Sequence, residues 1–325
     1  MTTTARAFWI TAPGAGEIRT VEVAEPERGE VRVRTSVSAV SAGTERLVFT
    51  GGVPKSQREL MRAPFQEGAF PGPVKYGYAA VGTVEAGAPE RIGERVFCLH
   101  PHQSAFMVPQ EAAVAVPDGV PDHRAALAAN METALNAVWD AAPVPGERIA
   151  LVGAGVVGLL VAYLLNRFGH TPVLVDLDPE RAATAAALGL RFATPDEATG
   201  PFELAIHASG APAGLAWALE RLGFEGRVVE LSWYGTREVS LPLGAHFHSR
   251  RLTIQSSQVG AVAAPMRGRV DHHGRLARAL ALLDDVRLDA LLDETVPLAA
   301  LPDFMRDLAA GRRRVLCARI TYEET

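Results

Sequence analysis

Ile149-Ala150-Leu151-Val152-Gly153-Ala154-Gly155-Val156-Val157-Gly158 is an apolar run that breaks into a glycine turn and continues as a helical pattern, and Asp176 closes the next apolar run. Strand, turn, helix, second strand and acid in this register form the fingerprint of a dinucleotide site. Gly153 permits the tight turn, Gly155 lets the backbone approach a pyrophosphate, and Gly158 lets the helix pack closely on the strand. The amides of Ala154, Gly155, Val156 and Val157, at the start of the helix, are expected to meet the pyrophosphate. Asp176 stands where a carboxylate would accept both adenosine-ribose hydroxyls, which favours NAD over NADP. An arginine such as Arg181 would reopen NADP if it neutralised a 2′-phosphate.

Outward from this stretch the chain alternates. Strands are predicted over Ile149–Gly153, Pro172–Asp176, Leu204–Ser209, Arg227–Ser232 and Leu252–Ser256, and helices near Val156–Phe168, Pro179–Leu188, Pro212–Leu222 and Gly274–Asp284. That rhythm is α/β, a doubly wound parallel sheet. Asp178 is expected to cap the helix that begins at Pro179. Ser209 and Ser232 end two of these strands, where ligands bind in such sheets, and are candidates to line the cofactor. Trp233 and Tyr234 read equally as a substrate wall or as interface packing. His207, in an apolar strand, reads as buried structure or a cofactor-edge contact.

Before this region, from Ala5 to about Pro117, short β-rich runs are broken by Gly and Pro, and Asp122–Ala142 reads as one helix. After it, Leu301–Ala310 (helix) and Arg314–Thr321 (strand) could return to the first domain. The predicted division is residues 1–121, completed by about 265–325, and 122–264.

The 325 residues are enough for two cores, and the net charge of −5 gives no reason to expect nucleic acid or an anionic membrane. The opening residues lack the apolar core of a secretory leader, so a cytoplasmic location is expected. With two cysteines, Cys98 and Cys317, neither a disulfide framework nor a four-cysteine zinc site can form.

The whole chain resembles the medium-chain dehydrogenase/reductase superfamily. The resemblance rests on Gly153–Gly158 with Asp176, on Tyr76-Gly77-Tyr78-Ala79-Ala80-Val81-Gly82, on Gly93-Glu94-Arg95-Val96-Phe97, and on Ser38 through Glu45. Leu188-Gly189 and Ala208-Ser209-Gly210 add to it. It implies a GroES-like β domain, a Rossmann domain, and a C-terminal segment that rejoins the first. Lys75 through Tyr78, His100 through Gln103, Leu231 through Gly235, Phe247-His248 and Ser256 through Gly260 narrow it to a branch. That branch includes bacteriochlorophyllide dehydrogenases and zinc-type alcohol dehydrogenase-like proteins.

The chain departs from the zinc enzymes at their metal. Ala42 stands where they carry a cysteine, and Tyr78 and Ala79 where they carry His and Glu. The structural zinc lobe should follow Cys98, but His100-Pro101-His102-Gln103 leads straight on. Zinc needs three protein ligands in a catalytic site and four in a structural one, and neither set survives. A site of Cys98, His100 and His102 would require the Pro101 region to stay extended. No metal is therefore expected.

Without a Lewis acid, side chains must handle the proton that accompanies hydride. Thr44 matches the position of the proton-relay hydroxyl in the zinc enzymes; the alternative is a turn hydroxyl. Tyr78 could donate to a substrate oxygen or pack the space left by zinc. Glu45 could orient protons, or pair with Arg46 or an interface arginine. His102, and less so His100, could act as acid or base. Lys75 could lower a tyrosine pKa if buried, but reads as exposed.

The expectation is a zinc-independent NAD(H)-dependent oxidoreductase interconverting an alcohol and a carbonyl. The resemblance suggests a bulky, ring-bearing substrate, and a homodimer with Leu252–Ser257 at the edge. Two alternatives stand: a quinone or enoyl C=C reductase, and an NAD(H) sensor without chemistry.

Overall fold

Glu30–Ser41 is the spine of the antiparallel unit in this computed structural model, which describes residues 3–322. Val31, Val33, Thr35 and Val37 alternate inward, as a strand with one buried face requires. This strand pairs antiparallel with Ala80–Gly87, Ala105–Pro109 and Cys317–Thr321. The last pairing brings the end of the chain back onto Val37–Ser41. A hairpin of Thr3–Ala12 and Ala15–Val23 forms a second sheet and pairs with the two-residue strand Val74–Lys75. The unit runs to Ala129 and resumes at Leu276.

The other unit, Asn130–Arg275, holds a six-stranded parallel sheet. In space the strands are ordered Arg191–Ala193, Val173–Val175, Ile149–Val152, Phe202–His207, Leu222–Glu230 and Thr253–Ser256. In chain order this is 3-2-1-4-5-6, the doubly wound arrangement expected from the alternating pattern. Every residue of Ile149–Val152 is buried, as befits a central strand covered on both faces. The chain reverses its direction of winding between Ile149–Val152 and Phe202–His207. Ligands bind at such switch points, outside the carboxyl ends of the strands.

The expected combination of a β domain and a doubly wound sheet is thus present. Two details differ. Asp122–Ala142 is two helices, Asp122–Ala125 and Ala128–Ala141. Arg191–Ala193 is an edge strand with one buried residue, too short and too exposed to give an apolar signal. No helix among the described residues is long and apolar enough to cross a membrane.

Candidate functional site

Gly153 follows the first strand with φ +108°, and a Cβ there would lie 2.6 Å from the Ser209 backbone. A Cβ on Gly158 would come within 1.9 Å of the Gly153 carbonyl oxygen. Both positions therefore demand glycine. Gly155, by contrast, is exposed, and a Cβ on it would meet nothing within 4 Å. Its bareness leaves room beside the start of the helix Val156–Arg167.

The Asp176 carboxylate holds this turn. Its Oδ2 accepts the Ala154 N–H at 2.6 Å and its Oδ1 the Asp178 N–H at 2.9 Å. The Ala154 amide, expected to meet phosphate, thus bonds Asp176. A carboxylate has about four lone-pair positions, so acceptor capacity remains. Asp178 accepts the Glu180 N–H at 3.1 Å and pairs with Arg181 at 3.5 Å, but the helix begins at Arg181 with Glu180 as its N-cap and no side-chain cap, so Asp178 is not the cap expected at Pro179.

Ser209 and Ser232 belong to one polar network at the ends of neighbouring strands. His207 Nδ1 lies 2.8 Å from Glu230 Oε2, and His207 Nε2 lies 2.6 Å from the Ser209 hydroxyl. The Ser232 N–H donates to Glu230 at 2.7 Å, and the Tyr234 hydroxyl donates to it at 3.1 Å. The Ser232 hydroxyl accepts the Gly210 N–H at 3.0 Å. Burial alone would raise the Glu230 carboxyl, but hydrogen bonds and charge from His207, with help from Ser232, hold it below its ordinary value. Burial and Glu230 push the Tyr234 phenol up. His207 is wholly buried while Ser209 is exposed. Glu230 was missed from sequence, although His207 and Glu230 stand opposite each other in the parallel register.

In the antiparallel unit, Thr44, Glu45, Tyr78 and His102 come together. The Tyr78 phenol is hydrogen-bonded to the side chains of Ser41 and Thr44. Burial and the neighbouring Glu45 carboxylate push the phenol upward, so Tyr78 keeps its proton. Its ring meets Tyr76 edge-on at 5.9 Å. Glu45 is buried, accepts the Ser41 N–H at 2.8 Å, and lies 2.8 Å from His102 Nε2. His102 Nδ1 lies 2.7 Å from the Ser38 hydroxyl, which in turn lies 2.7 Å from the Tyr322 hydroxyl. Both His102 nitrogens are therefore engaged. A Cβ on Gly77 would come within 2.9 Å of the His102 ring, so the loop bearing Tyr78 rests on it.

Two expectations are corrected here. Glu45 pairs with His102, not with an arginine, because both sit in the same buried layer. Lys75 is only 2% exposed, held by Glu67 and by Gln103 Oε1 at 2.5 Å. It does not lower the phenol of Tyr78, which moves up. Ser41, Ser38 and Tyr322 were not anticipated; serines in a strand and a tyrosine far along the chain carry no local signal.

The zinc-like positions carry no donor set. Ala42 and Ala79 have none, and Cys98 packs among Val33, Val96 and Phe106, where burial pushes its thiol up to about 12. His100 stacks on Phe106 at 3.8 Å, and burial, then the charge of Lys75, lowers its imidazole to about 3. Among the described residues, no three His, Cys, Asp or Glu are grouped to hold a metal.

No family model matches the chain. It is 25% identical over 221 residues to an uncharacterised zinc-type alcohol dehydrogenase-like protein of Haemophilus influenzae, covering 64% of this chain and 60% of that protein. It is 28% identical over 249 residues to 2-desacetyl-2-hydroxyethyl bacteriochlorophyllide A dehydrogenase of Cereibacter sphaeroides, covering 69% of this chain and 73% of that one. In structure it is similar to a protein of E. coli described as a short chain alcohol dehydrogenase and complexed with NADH, with a TM-score of 0.77 at 16% identity over 98% of this chain and 99% of that one. The chain thus has the fold of the solved alcohol dehydrogenases and is similar in sequence to zinc-type alcohol dehydrogenase-like and bacteriochlorophyllide dehydrogenase proteins.

Proposed function

We propose that this chain is an NAD(H)-dependent oxidoreductase that interconverts an alcohol and a carbonyl without zinc. The parallel-sheet unit binds the dinucleotide, and the antiparallel unit handles the proton on the substrate oxygen. The observation that carries this reading is the Tyr78 phenol, neutral and bonded to the Ser41 and Thr44 hydroxyls, at a position where the zinc enzymes have a ligand.

The dinucleotide fits the residues present. The bare Gly155, the close-packed Gly153 and Gly158, and the carboxylate of Asp176 suit a pyrophosphate and a ribose diol. The engagement of Arg181 with Asp178 weighs against its serving a 2′-phosphate, so NAD is favoured and NADP comes second. When bound, the dinucleotide supplies or accepts a hydride. Zinc does not fit, because Ala42, Tyr78 and Ala79 leave it no thiolate, imidazole or carboxylate.

Tyr78 does the work of the absent Lewis acid. Its O–H is a fixed donor for a carbonyl oxygen and grows in effect as that oxygen becomes anionic. A phenol, even one pushed upward, is a stronger acid than an aliphatic alcohol, so the alkoxide takes its proton. The Ser41 and Thr44 hydroxyls then share the charge left on Tyr78. Glu45 and His102 are positioning residues that fix the loop and helix beneath.

The substrate class follows the Cereibacter relative, whose name specifies a hydroxyethyl group on a large ring system. We extend to this chain a bulky secondary alcohol or the matching ketone. The outer strand Thr253–Ser256 presents a free sheet edge, which supports a homodimer formed by edge pairing. The test is NADH oxidation by chelator-treated protein against a panel of aryl ketones and unsaturated carbonyls. Reduction at C=O supports the proposal; reduction confined to the β-carbon assigns the chain to the C=C reductases instead.

A further inference from the structure

We infer that the buried His207–Glu230 couple sets the hydrogen-bonding polarity of Ser209, so that the chain takes up a proton when it binds a dinucleotide. The inference rests on the dinucleotide reading above. It adds two positioning residues and a coupling between proton and ligand.

Ser209 stands at the switch point of the sheet, its backbone against Gly153, and its side chain is open to solvent. The hydroxyl has two fixed neighbours: His207 Nε2 at 2.6 Å and the Ala211 N–H, which donates to it at 3.2 Å. Its remaining direction is the one a ligand meets. With His207 neutral, Nδ1–H donates to Glu230, and Nε2 must accept the Ser209 hydrogen. The Ser209 oxygen then offers the ligand only a lone pair. With His207 protonated, Nε2–H donates to Ser209, whose own hydrogen is released to point outward. Ser209 becomes a donor.

Charge runs the same way. The neutral imidazole beside the Glu230 carboxylate leaves the couple one unit negative, whereas the protonated couple is an ion pair of zero net charge. A ligand carrying a pyrophosphate at Gly153–Gly158 is an acceptor and an anion, and is favoured on both counts by the protonated couple. The other groups facing His207 are few. The Tyr234 hydroxyl lies 3.4 Å from Nδ1, the Ser232 hydroxyl 3.3 Å, and the Arg237 guanidinium 5.8 Å above the Tyr234 ring. The helix Pro212–Arg221 meets the imidazole with Gly214, where a Cβ would come within 2.8 Å of Nε2. The charged residues of that helix, Glu220 and Arg221, stand at its far end from Gly214.

The experiment is calorimetric titration of the full chain with ADP-ribose and with NADH at pH 6.5, 7.5 and 8.5. Each titration is run in two buffers of different ionisation enthalpy, which counts protons exchanged on binding. Affinity for both ligands is expected to weaken about 3- to 10-fold from pH 6.5 to 8.5, the worth of one hydrogen bond, with net proton uptake. Ser209→Ala, an exposed change that spares the fold, removes the reporter and flattens the pH dependence. His207→Gln removes the imidazole and abolishes the uptake. Proton uptake that survives unchanged in both variants, or no uptake by the unaltered chain despite tight binding, overturns the inference and leaves the dinucleotide reading standing. Failure of the unaltered chain to bind either ligand at any of these pH values overturns both.

Discussion

Each unit of this protein buries a histidine against a glutamate at 2.8 Å, and each histidine reaches a serine through its other nitrogen. The two constellations differ in where the serine ends. In the antiparallel unit, His102 leads to Ser38, which is fully buried and tied to Tyr322. In the parallel unit, His207 leads to Ser209, which is exposed at the switch point. The same imidazole–carboxylate chemistry is thus closed in one place and open in the other. A closed couple can only hold structure, and it holds the loop and helix that carry Tyr78 and Thr44. An open couple can exchange with what arrives.

The comparison breaks most visibly under loss of the histidines. His102→Leu strands Glu45 with a single backbone donor, and stability is expected to fall by about 3–5 kcal/mol. His207→Leu leaves Glu230 with the Ser232 N–H and the Tyr234 hydroxyl, so its loss is expected to be smaller, about 1–3 kcal/mol. Urea denaturation of both variants checks the order. Equal losses would mean that the two couples are alike.

Tyr78→Phe separates chemistry from support. It removes the proposed proton donor while leaving Glu45 and His102 in place, so turnover is expected to fall about 100-fold or more with dinucleotide affinity unchanged. A decline in stability with no specific loss of turnover would reduce Tyr78 to packing.

His100, next to the closed couple, sharpens the contrast through pH. The folded protein keeps it neutral down to about 3, while an unfolded chain protonates it near 6.5. Stability present above pH 6.5 is therefore lost as pH falls toward 3, by about 1.4 kcal/mol per pH unit. Denaturation midpoints at pH 7 and pH 5 should show this slope, and His100→Phe should be flatter. An unchanged slope in the variant would place the acid sensitivity elsewhere.

The smallest expected effect is at Asp176. Asp176→Asn keeps one acceptor for the turn and loses the other, so NADH affinity is expected to weaken about 3- to 10-fold, with the bias against NADPH relaxed. Binding measured side by side for the two nucleotides decides it.

The parallel sheet was legible because its central strands are unbroken apolar runs and its turn requires glycine at Gly153 and Gly158. Arg191–Ala193 was not, since a three-residue edge strand buries too little to leave a pattern. In the sites, legibility followed sequence distance. Asp176 and the glycine turn form a local motif, and Thr44, Glu45 and Tyr78 followed from the family resemblance. The pairing of Glu45 with His102, residues far apart in the chain, depends on how strands stack, and no local rule gives it. Lys75 defeated the usual expectation because Glu67 and Gln103 satisfy its ammonium inside the protein. Glu230 was within reach. Aligning the two neighbouring parallel strands sets it beside His207, and an acid and a histidine facing each other in apolar strands form a pair worth expecting.

The central claim is alcohol–carbonyl chemistry without zinc. The most direct test incubates metal-stripped protein and NAD⁺ or NADH with a metabolite extract and follows masses alongside nicotinamide turnover. A metabolite that gains or loses two hydrogens at a C–O carbon, in step with the nicotinamide and in the presence of chelator, is the result expected. Turnover that appears only after zinc is restored would contradict the reading of Ala42, Tyr78 and Ala79.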